Sequence, residues 1–167
     1  KMIEYLSEIL NYSLSSSDEL VTLSDEIKNT QCYIEIQKIR YRDKFGVIWQ
    51  YDENITDYKV IKLLFQPFIE NSIYHGIKEK ESPSYIKIKI KENNGIIKIS
   101  IIDNGIGIDP AKLKDIREKL KEKGDYTEHI GLFNTNRRLK LMYGEEYGIK
   151  LRSKSGLGTV VYIDIPA

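Results

Sequence analysis

The chain has 167 residues, which is enough for one domain with a buried core and a short additional segment. Its 26 basic and 25 acidic residues give a formal net charge of +1, so the composition provides no basic surface for nucleic acid or an anionic membrane. The single cysteine, Cys32, excludes an internal disulfide framework and a cysteine-based zinc site, and we expect it to be a packing residue in a helix.

The ends of the chain carry no targeting signal. No apolar stretch approaches the ~20 residues that span a bilayer, and no signal-peptide pattern is present. The chain begins at Lys1, inside a helical pattern and without a capping residue. We therefore expect it to be part of a longer protein, whose other segments this sequence does not describe.

Two amphipathic helices are predicted at the start of the chain. The second should run from about Leu23 to Arg40, after a capping box in which Thr22 accepts a hydrogen bond from the backbone N–H of Asp25. The first spans Met2 to Leu14. The pair is expected to pack against the domain itself, against a second copy of the chain or against another partner. The apolar stripe of the first helix consists of Ile3, Leu6, Ile9 and Leu10.

Strands and helices then alternate. A strand from Phe45 to Tyr51 precedes a helix predicted from Val60 to Ile77. Strict alternation of isoleucine and lysine predicts a half-buried strand from Tyr85 to Lys91. Asn93-Asn94-Gly95 is a hairpin signal, because Asn and Gly accept positive φ, and it leads into a strand from Ile96 to Ile102.

The last third of the chain predicts two more helices and a final hairpin. Asp109 and Pro110 are typical of a helix start, and the charged helix should run from Ala111 to Lys123. A further helix follows from Gly131 to Tyr143, and the hairpin strands are Ile149–Ser153 and Thr159–Ile165.

This order of elements predicts an α+β fold with a mixed, mostly antiparallel sheet and helices on one face. We predict that residues 1–42 form a separate helical linker and that residues 43–167 form the domain.

Polar side chains share one face of the helix that contains Asn71. Asn71, His75 and Lys78 are spaced at i, i+4 and i+7. An Asn amide oxygen is a ligand that Mg²⁺ accepts while it keeps waters and phosphate oxygens. The neighbouring Glu70 can orient a water or accept a proton. The alternative is a solvent-exposed polar face without a ligand.

Asp103 follows a strand and precedes Asn-Gly-Ile-Gly. A partly buried carboxylate at a strand end needs hydrogen-bond donors, and the exocyclic amine of adenine is one such donor. Gly105 and Gly107 lack a Cβ atom, so a base or a phosphate can approach the backbone closely. An ordinary Asp-Asn-Gly turn is the alternative.

The third motif is Gly131-Leu132 at a predicted helix start. Free N–H groups there favour phosphate, and Asn134 can also donate. The long charged segment from Asp109 to Ile130 is predicted to be a mobile lid. Thr159 can place a hydroxyl near a bound base. A glycine at a helix start and a threonine in a strand are the alternatives without a ligand.

These motifs together resemble the GHKL (Bergerat) ATP-binding fold, a two-layer α/β sandwich. Within it they are similar to the catalytic domain of sensor histidine kinases of the LytS/YesM type. Residues 64–76 resemble the N box of that branch, residues 103–107 its G1 box and residues 130–139 its G2 box. Residues 22–40, which include Tyr-Ile-Glu-Ile-Gln, resemble its linker helix.

The resemblance implies ATP and Mg²⁺ as cofactors and gives each residue a role. Asn71 would hold Mg²⁺, Glu70 would assist phosphoryl transfer, and His75 and Lys78 would line the phosphates. The residues expected at the adenine end are Asp103, Gly105, Gly107 and Thr159. The residues expected to meet the triphosphate as the lid closes are Gly131, Leu132 and Asn134.

The chain departs from the family pattern at three points. His129 stands where many members have a glycine, and Asn136 stands where a basic residue is frequent. The phosphoacceptor motif, similar to His-Phe-Leu-Phe-Asn, is absent, and the two histidines are both accounted for by the boxes. We therefore expect the chain to bind Mg-ATP without phosphorylating itself.

The resemblance also implies the wider setting. The expected partners are the phosphoacceptor region of the parent kinase, a response regulator and a possible second copy through the front helices, with no nucleic acid. The expected location is the cytoplasmic side of a membrane-anchored bacterial sensor kinase. Two alternatives remain open: a free-standing GHKL Ser/Thr kinase of the anti-sigma-factor type, and a non-catalytic interaction module. The front helices and the uncapped start favour the histidine kinase.

Overall fold

Alternating apolar residues build the central sheet of the molecule. The computed structural model describes residues 1–14, 19–42, 44–77, 83–122, 124 and 126–167. The strands in these ranges are β1 (Leu20–Thr22), β2 (Phe45–Gln50), β3 (Lys59–Ile61), β4 (Ser84–Asn93), β5 (Ile96–Asp103), β6 (Gly148–Lys154) and β7 (Gly158–Pro166). The helices are α1 (Met2–Leu14), α2 (Leu23–Arg40), α3 (Gln66–Asn71), α4 (Pro110–Lys119) and α5 (Ile130–Tyr143).

The main sheet has five strands in the order β2-β4-β5-β7-β6. β2 runs parallel to β4, and the other neighbouring strands are antiparallel. β1 and β3 form a separate antiparallel pair. The mixed, mostly antiparallel sheet predicted from the sequence is therefore confirmed.

One face of this sheet is buried and the other carries lysines. Burying one such aliphatic side chain stabilises the fold by roughly 1.5–3 kcal/mol. Leu23 of α2, Ile69 of α3 and Leu139 of α5 join the same core, so the helices cover the buried face. The buried residues of the two central strands are Ile86, Ile88, Ile90, Ile97, Ile99 and Ile101. The α+β sandwich with helices on one face is confirmed.

Turn and capping signals read from the sequence have the expected geometry. Asn94 and Gly95 have φ values of 53° and 76°, as a tight hairpin turn requires. Asp109 accepts hydrogen bonds from the first backbone N–H groups of α4, and Pro110 is its first residue. The capping box is also present, since Thr22 accepts from the Asp25 N–H at 3.1 Å.

The predicted helix from Val60 to Ile77 is wrong in its first part. Val60 and Ile61 belong to β3, where they pair with β1. Leu63 then takes a left-handed conformation with φ of 58°, which no helix can contain. Helix α3 begins only at Gln66, where Pro67 fits the first turn. The apolar run was therefore a short strand followed by a helix.

The two front helices are packed very differently. Leu23, Ile27 and Ile34 of α2 are buried and join the main core, whereas α1 has no buried residue. The division into residues 1–42 and 43–167 remains a prediction, although α2 shares the core of the sheet. Among the described residues, no helix is both long and apolar enough to cross a membrane.

Side chains from two helices meet the outer edge of β6. The backbone N–H of Ile149 donates to the Asn136 Oδ1 at 2.9 Å, and the Leu151 carbonyl accepts from the Arg117 Nε at 2.9 Å. The Asn136 amide also donates to the Leu120 carbonyl at 2.9 Å. Helix α4 had been predicted to extend to Lys123, which lies outside the described residues, but it ends at Lys119 beside this contact.

Candidate functional site

A cavity of about 420 Å³ opens between the end of β5, helix α3 and the facing ends of α4 and α5. Asn71, His75 and Asp103 line it, together with residues of the turn that follows β5. Residues of the predicted N box and of the predicted G1 box therefore line one cavity, and their contacts with a nucleotide remain a prediction.

Asp103 is the buried carboxylate of this cavity, with 7% of its surface exposed. Its Oδ2 accepts a hydrogen bond from the Ser72 hydroxyl at 2.9 Å. Its Oδ1 accepts from the backbone N–H groups of Gly105 at 2.9 Å and Thr159 at 3.3 Å. Such donors offset the cost of burying a charge and hold the carboxylate in a fixed orientation.

The backbone of Gly76 and the backbone of Gly105 are in close contact beside Asp103. A Cβ atom on Gly105 would lie 2.5 Å from the Cα of Gly76, and one on Gly76 would lie 3.3 Å from the Asp103 Oδ1. The Ile106 N–H donates to the Gly76 carbonyl at 3.0 Å. Only glycine allows this approach, so the N box and the G1 box form one rigid unit.

The turn after β5 is also fixed by the β6–β7 connection. Gly107 has φ of 72°, and a Cβ there would lie 2.1 Å from the Lys154 carbonyl oxygen. The Ser153 hydroxyl accepts from the Ile108 N–H at 2.9 Å and lies 2.9 Å from the Thr159 Oγ1. Thr159 thus reaches the cavity as part of a network and not as an isolated strand residue.

Helix α3 changes to a π-helix at Ser72, and the π-helical segment ends at Ile77. Inserted π turns are frequent at functional sites. Despite the change in period, Asn71 and His75 both line the cavity, whereas Ile69 and Ile73 remain buried in the core. The helix therefore has a polar side toward the cavity and an apolar side toward the core. Lys78, the third predicted residue of the polar side, lies outside the described residues.

His129 belongs to the predicted lid, residues 109–130, and lines the cavity. We call this side of the cavity the lid side. His129 precedes α5 in the left-handed conformation, with φ of 53° and ψ of 35°, and its side chain makes no capping hydrogen bond. By the family resemblance, His129 stands at a position where many members have a glycine. Its left-handed conformation is one that glycine adopts without strain. The His129 ring centroid lies 5.2 Å from that of His75, which joins the lid side to the N box.

His129 is surrounded by positive groups. Burial lowers the pKa of His129, and the nearby charge of Lys112 lowers it further. Lys112 and Leu132 also line the cavity. The lid side therefore offers a lysine, an imidazole whose charged form is disfavoured and the start of a helix.

Four predicted residues lie outside the cavity lining: Gly105, whose contact with Gly76 is described above, and Glu70, Gly131 and Asn134. Glu70 is exposed, and its Oε1 accepts from the Gln66 Nε2 at 2.8 Å. A Cβ on Gly131 would lie 3.1 Å from the Cβ of Pro67, so this glycine allows α5 to pack on α3. Asn134 is exposed and lines a second cavity beside α5. Their contacts with a ligand remain predictions.

Sequence reasoning missed three side chains of the site. Ser72 had been given no role, although it lies four residues before Gly76 on the same helix. Lys112 and Ser153 carry no local signal, since they reach the site through tertiary packing alone. Asn136, which stands where a basic residue is frequent, is buried, hydrogen-bonded to the backbone of Leu120 and Ile149, and is not part of the cavity lining.

Families of known proteins match nearly the whole chain. Residues 56–167 match the family described as histidine kinase-, DNA gyrase B-, and HSP90-like ATPase. Residues 1–45 match the histidine kinase family.

Relatives of known sequence are sensor kinases. The chain is 32% identical over 165 residues to an uncharacterised sensor-like histidine kinase of Staphylococcus epidermidis. It is 30% identical over 165 residues to the sensor protein kinase HptS of Staphylococcus aureus. Each comparison covers 99% of this chain and 32% of the relative, so the chain spans about a third of the length of the curated relatives it matches.

Solved structures share the fold. The histidine kinase domain of the Erythrobacter litoralis blue-light activated histidine kinase has a TM-score of 0.61 and 17% identity, and the match covers 99% of this chain and 77% of that one. The catalytic domain of the histidine kinase ThkA has a TM-score of 0.60 and 17% identity, covering 88% of this chain and 94% of that one. At this identity the likeness concerns the fold alone.

Proposed function

Because the chain belongs to the histidine kinase-, DNA gyrase B-, and HSP90-like ATPase family, we propose that it is the Mg-ATP-binding catalytic part of a sensor histidine kinase. It donates the γ-phosphate of ATP to a phosphoacceptor histidine outside this chain. The observation that carries the proposal is the buried Asp103 carboxylate, which Ser72 and Gly105 hold at the inner end of the cavity.

The adenine end of the ligand lies at Asp103. The carboxylate accepts a hydrogen bond from the exocyclic amine, a group that offers a donor in a largely apolar pocket. Gly105 and Gly107 lie beside the base, where a side chain would collide with the neighbouring backbone. Thr159 supports the same end through its hydroxyl.

Asn71 fits the proposed Mg²⁺ ion. Among the described residues there is no group of three or more His, Cys, Asp or Glu side chains that could hold a metal. The cavity instead offers the neutral Asn71 amide, and Mg²⁺ is commonly bound by few protein oxygens together with waters and phosphates. When bound, the ion would neutralise charge on the phosphate oxygens.

Phosphoryl transfer in this proposal depends on positioning. The bond between the γ-phosphorus and the bridging oxygen breaks, a bond to the acceptor nitrogen forms, and ADP leaves. His75 and Lys78 line the phosphates, and Glu70 assists the transfer after it releases Gln66 and turns toward the cavity. Gly131, Leu132 and Asn134 meet the triphosphate when the lid closes.

The whole protein would supply the remaining partners. We place the chain on the cytoplasmic side of a membrane-anchored kinase, with the phosphoacceptor region of the parent and a response regulator as partners. A second copy would associate through the front helices.

Calorimetric titration with a non-hydrolysable ATP analogue tests the proposal. We expect saturable binding that Mg²⁺ strengthens, and about a hundredfold weaker binding in Asp103→Asn, since the amide turns a donor toward the N–H groups around it. Asp57→Asn, at an exposed position before β3, is the matched control and should bind like the starting protein. Equal affinity in the two variants of a folded protein would contradict the assignment of Asp103.

A second pair of variants tests the metal. Asn71→Ala should bind the analogue with the same affinity with and without Mg²⁺, because the protein ligand of the ion has been removed. Asn54→Ala, at an exposed position, should keep the full Mg²⁺ effect. A Mg²⁺ effect that survives in Asn71→Ala would show that the ion is held elsewhere.

The residue that accepts the phosphate distinguishes the proposed histidine kinase from its alternatives. Incubation of the chain with labelled ATP should leave it without acid-labile phosphate, and addition of a phosphoacceptor helix segment of the parent should produce it. Transfer to a serine or threonine of another protein would favour a Ser/Thr kinase of the anti-sigma-factor type.

A further inference from the structure

Glu26 of α2 is a fully buried carboxylate that lies outside the cavity. Its Oε2 accepts hydrogen bonds from the Tyr12 hydroxyl at 2.5 Å and from the Leu63 N–H at 2.9 Å. Its Oε1 accepts from the Phe65 N–H at 3.2 Å. One carboxylate thus joins the end of α1, the first turn of α2 and the segment that leads into α3.

These hydrogen bonds depend on one another. Burial raises the pKa of Glu26, and the hydrogen bonds from Tyr12 and from the backbone N–H groups of residues 63–65 counteract that effect. Burial and the adjacent Glu26 raise the pKa of Tyr12, so its hydroxyl remains a donor. Removing one donor leaves the buried carboxyl group less well compensated, so the arrangement of the backbone around it becomes less favourable.

The segment held by Glu26 is strained. Leu63 has φ of 58°, a conformation that L-residues with large side chains rarely adopt. Two residues later Phe65 precedes the first turn of α3. The Glu26 carboxylate therefore fixes the position at which α3 begins, and α3 carries Phe68 and Asn71 into the cavity.

The end of α1 has a second contact with the same segment. Lys62 is 9% exposed, and its Nζ donates to the Ser13 carbonyl at 3.4 Å and lies 5.0 Å from the centroid of the Tyr12 ring. A displacement of the end of α1 would therefore act directly on residues 62–65.

The rest of α1 is held weakly, so such a displacement costs little. None of its residues is buried, and Ile3 and Leu14 are 81% and 75% exposed. Its other described hydrogen bond to α2 is from the Cys32 thiol to Glu8 at 3.0 Å. Asn29 lies between Glu26 and Cys32 at helical spacing, and neither polar atom of its buried amide has a hydrogen-bond partner among the described residues. Elements with few buried contacts move at low free-energy cost.

We propose that Glu26 is a positioning residue for the nucleotide site and that it couples the position of the end of α1 to the start of α3. This inference rests on the proposed function, because the site it positions is the Mg-ATP site. Glu26 acts through the backbone of Leu63 and Phe65 and does not touch the ligand.

Tyr12→Phe in the full chain is the main test, with Glu8→Gln as its matched control. Tyr12→Phe removes the hydrogen bond to Glu26, whereas Glu8→Gln replaces the charged acceptor of the Cys32 thiol by a neutral one. Each variant thus changes one contact between α1 and α2, but only Tyr12 contacts Glu26. We expect Tyr12→Phe to accelerate amide hydrogen exchange at Leu63, Phe65 and the α3 amides about tenfold, and to weaken binding of the ATP analogue by a similar factor. Glu8→Gln should leave both values unchanged.

Glu26→Gln gives the larger effect. The amide presents a donor to one of the two backbone N–H groups, so exchange and affinity should change more than in Tyr12→Phe. If this variant does not fold, the comparison of Tyr12→Phe with Glu8→Gln still tests the positioning role of Glu26.

The outcomes separate this inference from the proposed function. Unchanged exchange at α3 in Tyr12→Phe, or changed exchange with unchanged affinity, would overturn the positioning role. Equal effects of Tyr12→Phe and Glu8→Gln would reduce Glu26 to a general stabilising residue and would also overturn it. Absence of analogue binding in the starting protein would contradict the proposed function, whereas the exchange data would still establish whether α1 and α3 are coupled.

Discussion

The two sides of the cavity are held in different ways. On one side, which we call the Asp103 wall, Ser72, Gly76, Asp103 and Gly105 are joined by short hydrogen bonds and backbone contacts that exclude any Cβ. On the other, the His129 wall, His129 meets His75 through a ring contact and has a backbone conformation suited to glycine. A binding site of this kind fixes one end of its ligand and leaves the other adjustable.

The largest expected effect comes from adding a methyl group to the Asp103 wall. Gly105→Ala places a Cβ 2.5 Å from the Gly76 backbone, so we expect it to lower the free energy of unfolding by about 3 kcal/mol. Gly131→Ala, whose Cβ would lie 3.1 Å from a Pro67 side-chain atom, should change it by less than about 1 kcal/mol. Urea unfolding of both variants measures the difference, and equal losses would contradict the contrast between the walls.

A smaller effect is expected from the buried hydroxyl of the Asp103 wall. Ser72→Ala removes one donor to the carboxylate, which should weaken binding of the ATP analogue about tenfold. Ser155→Ala, in the exposed β6–β7 turn, is the control and should have no effect. Unchanged affinity in Ser72→Ala would mean that the backbone N–H groups alone orient Asp103.

Strain in the His129 wall gives the next effect. His129→Gly and His129→Ala both remove the ring, but glycine adopts a φ of 53° without the steric cost that alanine has there. The glycine variant should therefore unfold with a free energy about 1 kcal/mol higher than the alanine variant. If alanine were equally stable, the left-handed conformation would not be a source of strain.

The smallest effect is a pH dependence. Because the pKa of His129 is lowered in the folded chain, the unfolded chain binds more protons as the pH falls below the ordinary histidine value of about 6.5. Burial, Lys112, His75 and Lys119 disfavour the charged ring, whereas Glu128 favours it. The free energy of unfolding should thus fall more steeply below about pH 6.5 in the starting protein than in His129→Gln. Parallel pH profiles in urea unfolding would rule out this contribution.

The same contrast explains how far the sequence could be interpreted. Local signals were sufficient for the β4–β5 hairpin, since the alternation of isoleucine and lysine and the Asn94-Gly95 turn lie within one short segment. They were also sufficient for the capped start of α4 at Asp109. The family resemblance then predicted that Asn71 and Asp103 belong to one site, and both residues line the same cavity.

The features that could not be predicted are tertiary. Ser72 meets Asp103 across 31 positions of sequence, and Leu63 owes its conformation to Glu26 across 37 positions. β1 and β3 are too short to show a period, so Val60 and Ile61 were assigned to a helix. The α1 stripe was predicted correctly as a helical pattern, but the pattern could not tell that its apolar residues remain exposed.

The side-chain contacts along β6 have a consequence for solubility. A strand at the end of a sheet normally presents unpaired N–H and C=O groups, which can pair with a strand of another molecule and begin aggregation. Here Asn136 and Arg117 occupy the outward-pointing groups of Ile149 and Leu151. The N–H of Ile149 and the carbonyl of Leu151 are therefore unavailable to an added strand, which disfavours pairing of this edge with another molecule.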